Sequence, residues 1–222
     1  MDELNAHEAR VLGVLIEKAY TTPDQYPLSL NAVTNGCNQK SNRDPVTDFG
    51  EAEVTIALTG LKFKHLVGAT TPAGSRVEKY RHNALEHFKL DDQNVAVLAE
   101  LLLRGPQSQG ELRQRASRMR KIDSLEQLGQ VINNLIATGF ARRHPPAHGS
   151  RAERFGHCLS NDPTPAAEEA SAAAPARSFT SAPLPASTGG GLESRVTHLE
   201  AEVERLRGHL SRLAEQLGET LE

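Results

Sequence analysis

Apolar side chains at Val11, Leu12, Leu15 and Ile16 recur at the spacing of one helix face. The box Asn5-x-x-Glu8 stands just before them, and each of its side chains can satisfy the other's free backbone N–H, so it predicts the helix start. The pattern then returns. "VLGVLIEK" from Val11 resembles "VLAELLLR" from Val97, "VTIALTGLKFKHLV" from Val54 resembles "LGQVINNLIATGFA" from Leu128, and "GSRVEKYRH" from Gly74 resembles "GSRAERFGH" from Gly149. Three matches in the same order mark an internal repeat.

Each repeat reads as three helices and a hairpin. Helix two starts at Ser29 in the first unit and at the capping box Ser108-x-x-Glu111 in the second; helix three is expected to start at Asp48-x-x-Glu51 and Asp123-x-x-Glu126. An apolar exit (Leu66-Val67, Phe140-Ala141), a Pro/Gly loop and a polar strand (Arg76 to His82, Arg151 to His157) follow. Helix, helix-turn-helix and a two-stranded ribbon form the winged-helix pattern. The predicted fold class is therefore mainly α with small β wings (α+β), as two tandem winged-helix domains over residues 1–88 and 89–160.

The offset between matched positions falls from 86 at Val11/Val97 to 79 at Ser29/Ser108 and 74 at Val54/Leu128. The first unit thus carries extra residues before helix three, at NQKSNRDPV, where Pro45 disfavours helical backbone at Asp44. The expected division of labour in this turn is structural for Asn38 and Asp44, whose short side chains bond locally, and outward for Lys40 and Arg43, whose long basic side chains are hard to bury unpaired.

The run "LSLNAVTNGCNQKSNRDPV", together with "GSRVEKYRH" and the C-terminal heptads, resembles the YceH-type family of uncharacterised bacterial proteins. The resemblance covers about residues 4–160 and, more loosely, the terminal heptads. It implies a tandem winged-helix fold and brings no activity, substrate or catalytic residue with it.

Residues 161–191, NDPTPAAEEASAAAPARSFTSAPLPASTGGG, are dominated by Pro, Ala, Ser and Gly and read as a flexible linker. A heptad follows over 192–220, with Leu192, Leu199, Leu206 and Leu213 at d and Val196, Val203, Leu210 and Leu217 at a. Val at the early a positions with Leu at d favours a parallel dimeric coiled coil, with Arg195 facing Glu200 and Glu202 facing Arg207 across it. The other reading is a lone amphipathic helix.

Composition narrows the partners. Residues 1–88 carry 9 Lys+Arg against 11 Asp+Glu, hence −2; residues 89–161 carry 11 against 7, hence +4; residues 162–222 carry 5 against 10, hence −5. Only the middle block is basic enough to suggest a polyanion. Two cysteines, Cys37 and Cys158, make no disulfide framework and suit a reducing cytosol. No stretch approaches the roughly 20 apolar residues of a membrane span, so a cytoplasmic protein is expected. His144, His148, His157 and Cys158 fit no standard zinc spacing. Cys37 reads as a small residue on the inner side of helix two, matched by Ala116. No phosphate-binding or dinucleotide glycine motif occurs, so no cofactor, metal or catalytic residue is expected.

Nucleic acid fits best at this level. Gln127, Gln130 and Asn134 share one face of the second unit's helix three, and such amides can pair bidentately with adenine in the major groove. "RQRASRMRK" before them brings Arg113, Arg115, Arg118, Arg120 and Lys121, suited to phosphates. In the wings, Lys79, Arg81 and Arg154 are phosphate candidates, while the repeated Arg-x-Glu (Arg76/Glu78, Arg151/Glu153) reads as a structural ion pair. In the first unit, Asp48, Glu51 and Glu53 make helix three a poor face for a polyanion and leave Lys40, Asn42 and Arg43 as candidates. The expected function is a dimeric, non-enzymatic protein that binds double-stranded DNA, of the transcriptional-regulator kind. The rival is a protein-interaction scaffold built on tandem winged helices, of the kind that serves chromosome or transcription machinery. A basic stripe joining Arg113–Lys121 to Arg154 would favour DNA; its interruption by acidic groups would favour the scaffold.

Overall fold

The computed structural model describes residues 3–71, 74, 77–146 and 152–160. Helix α1 (Ala6–Thr21) begins at the box foreseen for it: Asn5 Oδ1 accepts from Glu8 N, and Glu8 Oε2 accepts from Asn5 N, both at 2.9 Å. Strand β1 (Leu28–Ser29) leads into α2 (Leu30–Cys37), where Ser29 caps by accepting from Ala32 N. Then come α3 (Glu51–Phe63), β2 (Val67–Thr70), β3 (Lys79–His82) and the short α4 (Ala84–Phe88). The second half repeats the order as α5 (Asp92–Arg104), β4 (Gln107–Ser108), α6 (Gln109–Ala116), α7 (Leu125–Ala137), β5 (Ala141–His144) and β6 (Arg154–His157). The fold is α+β.

The two sheets are antiparallel and three-stranded, ordered β1-β3-β2 and β4-β6-β5. Tyr80 stands in register between Leu28 and Ala69, and Phe155 between Gln107 and Arg143. Both rings are buried, which fixes the register, since a one-residue slip would turn each to solvent. The strands β1 and β4, two residues each, carry no alternation to read in the sequence.

Two helix starts differ from expectation. Helix α3 is capped at Gly50, whose N–H donates to Glu53 Oε2 at 2.7 Å, and Asp48 lies outside it. Helix α7 is capped by Ser124, which accepts from Gln127 N, while Asp123 N donates to Gln127 Oε1 at 2.8 Å. In each repeat the start is one or two residues later than the box in the sequence: Ser124 takes the cap beside Asp123, and Gly50, with no side chain of its own, has its N–H satisfied by Glu53.

Helices α1 and α5 are antiparallel and carry the core. Every residue from Val11 to Glu17 and from Asn94 to Leu103 is buried. Tyr20, late in α1, donates to Asp92 at the start of α5 at 2.8 Å, and a Cβ on Gly13 would sit 3.0 Å from Leu103 Cγ. One apolar cluster runs through both repeats, with Leu12, Leu15 and Ile16 alongside Leu98, Leu101 and Leu103. Each such side chain contributes about 1.5–3 kcal/mol by leaving water. Leu4 N donates to Leu159 O at 2.7 Å, so the chain before α1 and the chain after β6 are joined.

Candidate interaction surfaces

The inserted turn departs from its expected layout. Arg43 is buried, 6% exposed, instead of projecting outward. Its Nε donates to Gly36 O at 2.9 Å and its Nη2 to Glu17 Oε2 at 2.5 Å and Gln39 Oε1 at 3.0 Å. Burial is tolerated because a carboxylate and carbonyls take up its donors, the pairing that one sequence could not show. Arg10, which drew no attention in the sequence, is buried beside it and donates to Pro45 O at 2.7 Å and Cys37 O at 3.3 Å. Asn42 adopts φ 60, a left-handed backbone that Asn tolerates, and its Oδ1 accepts from Arg104 at 2.5 Å. Asn38 is structural, as expected: its side chain bonds Phe49 N at 2.7 Å and Phe49 O at 2.8 Å. Only Lys40 of the three contact candidates stays exposed. Cys37 is fully buried and its thiol is pushed up to about 12 by burial, the state of an inert core residue.

Of the basic segment, Arg118 is committed inward, whereas Arg120 and Lys121 stay exposed in surface ion pairs. Arg118 bridges α1 and α5, pairing with Glu17 and, at 3.1 Å, with Glu100; its side chain is 28% exposed against 1% and 0% for the two carboxylates. Glu100 also lies 3.1 Å from Arg104 Nε, an ion pair without hydrogen-bond geometry. Burial works to raise the pKa of Glu17, but the hydrogen bond and charge of Arg43 and the charge of Arg118 outweigh it and hold the carboxyl below its ordinary value. Arg120 pairs with Asp92 at 3.1 Å and lies over the Tyr20 ring at 4.5 Å. Arg115 pairs with Glu111 and donates to Gln107, Arg113 donates to Asp123 O, and Lys121 pairs with Asp123 at 2.7 Å. Arg154 donates to Pro106 O at 2.5 Å. The exposed Glu111, Asp123 and Asp92 stand among these basic residues at the surface, while the buried Glu17 and Glu100 hold Arg118 from within.

Among the other candidates, Gln130 and Asn134 are exposed on α7, whereas Gln127 is half-buried and donates to Gln93 Oε1 at 3.2 Å. Lys79 is half-buried and Arg81 exposed on β3. Arg76 and Arg151 lie outside the described residues; Glu78 pairs with Lys62 at 3.4 Å and Glu153 with Arg143 at 3.5 Å. Leu192, Val196, Leu199, Val203, Leu206, Leu210, Leu213 and Leu217 also lie outside the described residues. Among the described residues no group of three His, Cys, Asp or Glu side chains could hold a metal, and no helix is long and apolar enough to cross a membrane.

The surface that sequence reasoning missed is on α3. Its buried face is Val54, Ala57, Leu58 and Leu61. Ile56 and Phe63 fall out of that phase and are 72% and 86% exposed. They are seven residues apart, hence on one face, with the exposed Thr59 between them and the exposed Ala52 one turn before Ile56. Phase was the available signal; the continuous apolar look of "VTIALTGLKF" hid it.

A family model described as "Protein of unknown function, DUF480" matches residues 4–148. The chain belongs to this family. Its members include a UPF0502 protein of Geotalea daltonii, 50% identical over 168 residues that make up 75% of this chain and 77% of the relative. A UPF0502 protein of Hahella chejuensis is 40% identical over 229 residues, 99% of each chain, and one of Aeromonas hydrophila is 41% identical over 217 residues, 96% of this chain and 95% of the relative. The resemblance carried by "LSLNAVTNGCNQKSNRDPV" thus leads to a widespread bacterial family, and the buried positions of that run, Val33, Gly36, Cys37 and Arg43, account for it as a packed structural segment.

Proposed function

We propose that this chain is a non-enzymatic protein-interaction module, built as tandem winged helices, that engages another polypeptide through the exposed face of α3. The observation that carries the reading is the exposure of Ile56 and Phe63, 72% and 86%, on the helix that occupies the recognition position of a winged helix. Large apolar side chains grouped on one exposed helix face mark protein contacts. The flanking Glu51 and Glu53 repel a phosphate backbone, and of the basic residues that would hold one Arg118 is tied to the buried Glu17 and Glu100 while Arg115, Arg120 and Lys121 are paired with carboxylates at the surface. The test is the doubly changed full chain, Ile56→Asp with Phe63→Asp. Its melting should match the parent and its protein contacts should be lost; contacts that persist at parental strength refute the reading.

A second reading, DNA binding in the manner of a transcriptional regulator, is favoured by one observation. Gln130 and Asn134 are exposed on α7, and Arg142 is exposed on the adjoining β5. Salt-steep retention of duplex DNA that is lost on Arg142→Glu would support it. The terminal heptads offer a route to self-association separate from α3.

A further inference from the structure

The pattern around the α3 stripe is self-complementary, and we infer that the partner it fits is the same face of a second copy of this chain. The inference rests on the protein-interaction reading above and names its occupant. Two pairs on α3 are eleven residues apart, three helical turns, so each pair lies along one line of the helix: Ala52 with Phe63, and Glu51 with Lys62. Place two α3 helices face to face and antiparallel about a two-fold axis level with Ala57 and Leu58. Each flank then meets the same flank of the copy, with its ends reversed. The small Ala52 meets the large Phe63 of the copy, and Ile56 meets Thr59. Glu51 comes within about 3 Å, along the axis, of the level of Lys62.

An isologous contact needs this reciprocity, because every residue must suit the partner its symmetry mate presents. Opposite charge at the two ends of one flank specifies the antiparallel arrangement and disfavours the parallel one, in which opposite flanks meet and Glu51 would stand beside Glu53 of the copy. Lys62 is available: its present partner, Glu78, is 3.4 Å away, and both side chains are over 40% exposed, at 43% and 46%. On the opposite flank Lys64 is not available, since Glu8 holds it at 2.5 Å and Glu3 O accepts from it at 2.8 Å. The contact rests on a helix about 20 Å long, which places it at the small end of protein interfaces. Association should accordingly be concentration-dependent, with copies exchanging freely.

The experiment uses the full chain in two ways. In the first, self-association is measured for Glu51→Lys, Lys62→Glu and the double exchange. Each single change sets like charges opposite one another at both symmetry-related positions and should weaken association by about tenfold or more. The double exchange should restore it to within about threefold, as coupled residues do. Association through the terminal heptads would be indifferent to these exposed α3 positions, so single variants that associate like the parent overturn the inference, as does a double variant that fails to recover. In the second, a photoreactive phenylalanine analogue replaces Phe63 in the full chain in cells. A covalent homodimer linked near Ala52 of the copy supports the pairing. An adduct with a different protein overturns the pairing and leaves the interaction reading standing; no protein adduct overturns both.

Discussion

Arg43 Nη2 lies 2.5 Å from Glu17 Oε2, and both side chains are closed to solvent, at 0% and 1% exposure. The residue that the inserted turn seemed to offer to a partner instead ties the turn to the central helix. Glu17 also receives Arg118 from the second repeat, so one carboxylate joins three segments. Removing Arg43 leaves Glu17 to Arg118 and strips it of two charge-assisted hydrogen bonds, at about 1.5–3 kcal/mol each. Arg43→Met should therefore lower the urea midpoint sharply, while Lys40→Ala, on an exposed side chain, should stay within about 0.5 kcal/mol of the parent. Equal effects from the two changes would contradict this assignment.

Asn38 should behave as a purely structural residue. Its amide closes both backbone groups of Phe49 and accepts from Thr47 at 3.3 Å. Asn38→Ala leaves those groups without partners, at about 1–3 kcal/mol. The loss is read in the melting temperature. Partner binding per folded molecule should not change.

Gly36 lies against α1, where an added Cβ would stand 2.6 Å from Val14 Cγ1. Val14 is fully buried and has no space to yield into. Gly36→Ala should destabilise by about 1–3 kcal/mol, whereas Gly110→Ala, with open space around the new carbon, should not. Denaturation of the two variants side by side checks this.

Stability should fall on mild acidification. Burial, helped by the charge of Arg81 and opposed by Asp92, lowers His82 to about 4; burial, with Arg142 and His144, lowers His157 to about 4. In the unfolded chain both return to about 6.5. The neutral folded form is fully stable above about pH 6.5, and stability is lost as pH drops from there toward 4, because the unfolded chain then binds protons the folded chain refuses. Each histidine adds a slope of up to about 1.4 kcal/mol per pH unit within that window. Glu17 acts lower: its lowered pKa contributes stability above the unfolded value of about 4.3 that is lost as pH falls through the folded value. A urea midpoint that stays flat from pH 7 to 5 would contradict the histidine assignment.

The helices, both hairpins and the repeat were readable because helical phase and capping boxes are local signals. Asn5, Ser29 and Ser108 cap where the sequence put them. The two-residue strands β1 and β4 were not readable, being too short to show a period. Arg43 and Arg118 were read as surface charges because their partners Glu17 and Glu100 are remote in sequence and meet them only through the packing of the fold, whereas Arg120 does stand at the surface. The exposure of Ile56 and Phe63 was not legible, because an apolar residue in a helix carries no mark of which face it occupies until the buried phase is known.

The central claim is that the exposed face of α3 is the surface this chain uses, and that the basic segment serves the fold. The most direct measurement is the amide spectrum of the isotope-labelled full chain, recorded on dilution and again with duplex DNA at low salt. Shifts at Ala52, Ile56, Thr59 and Phe63 that move with protein concentration, with Arg118, Gln130, Asn134 and Arg142 unmoved by DNA, are the expected result. Shifts confined to Gln130, Asn134 and Arg142 on adding DNA, with α3 silent at every concentration, would contradict it.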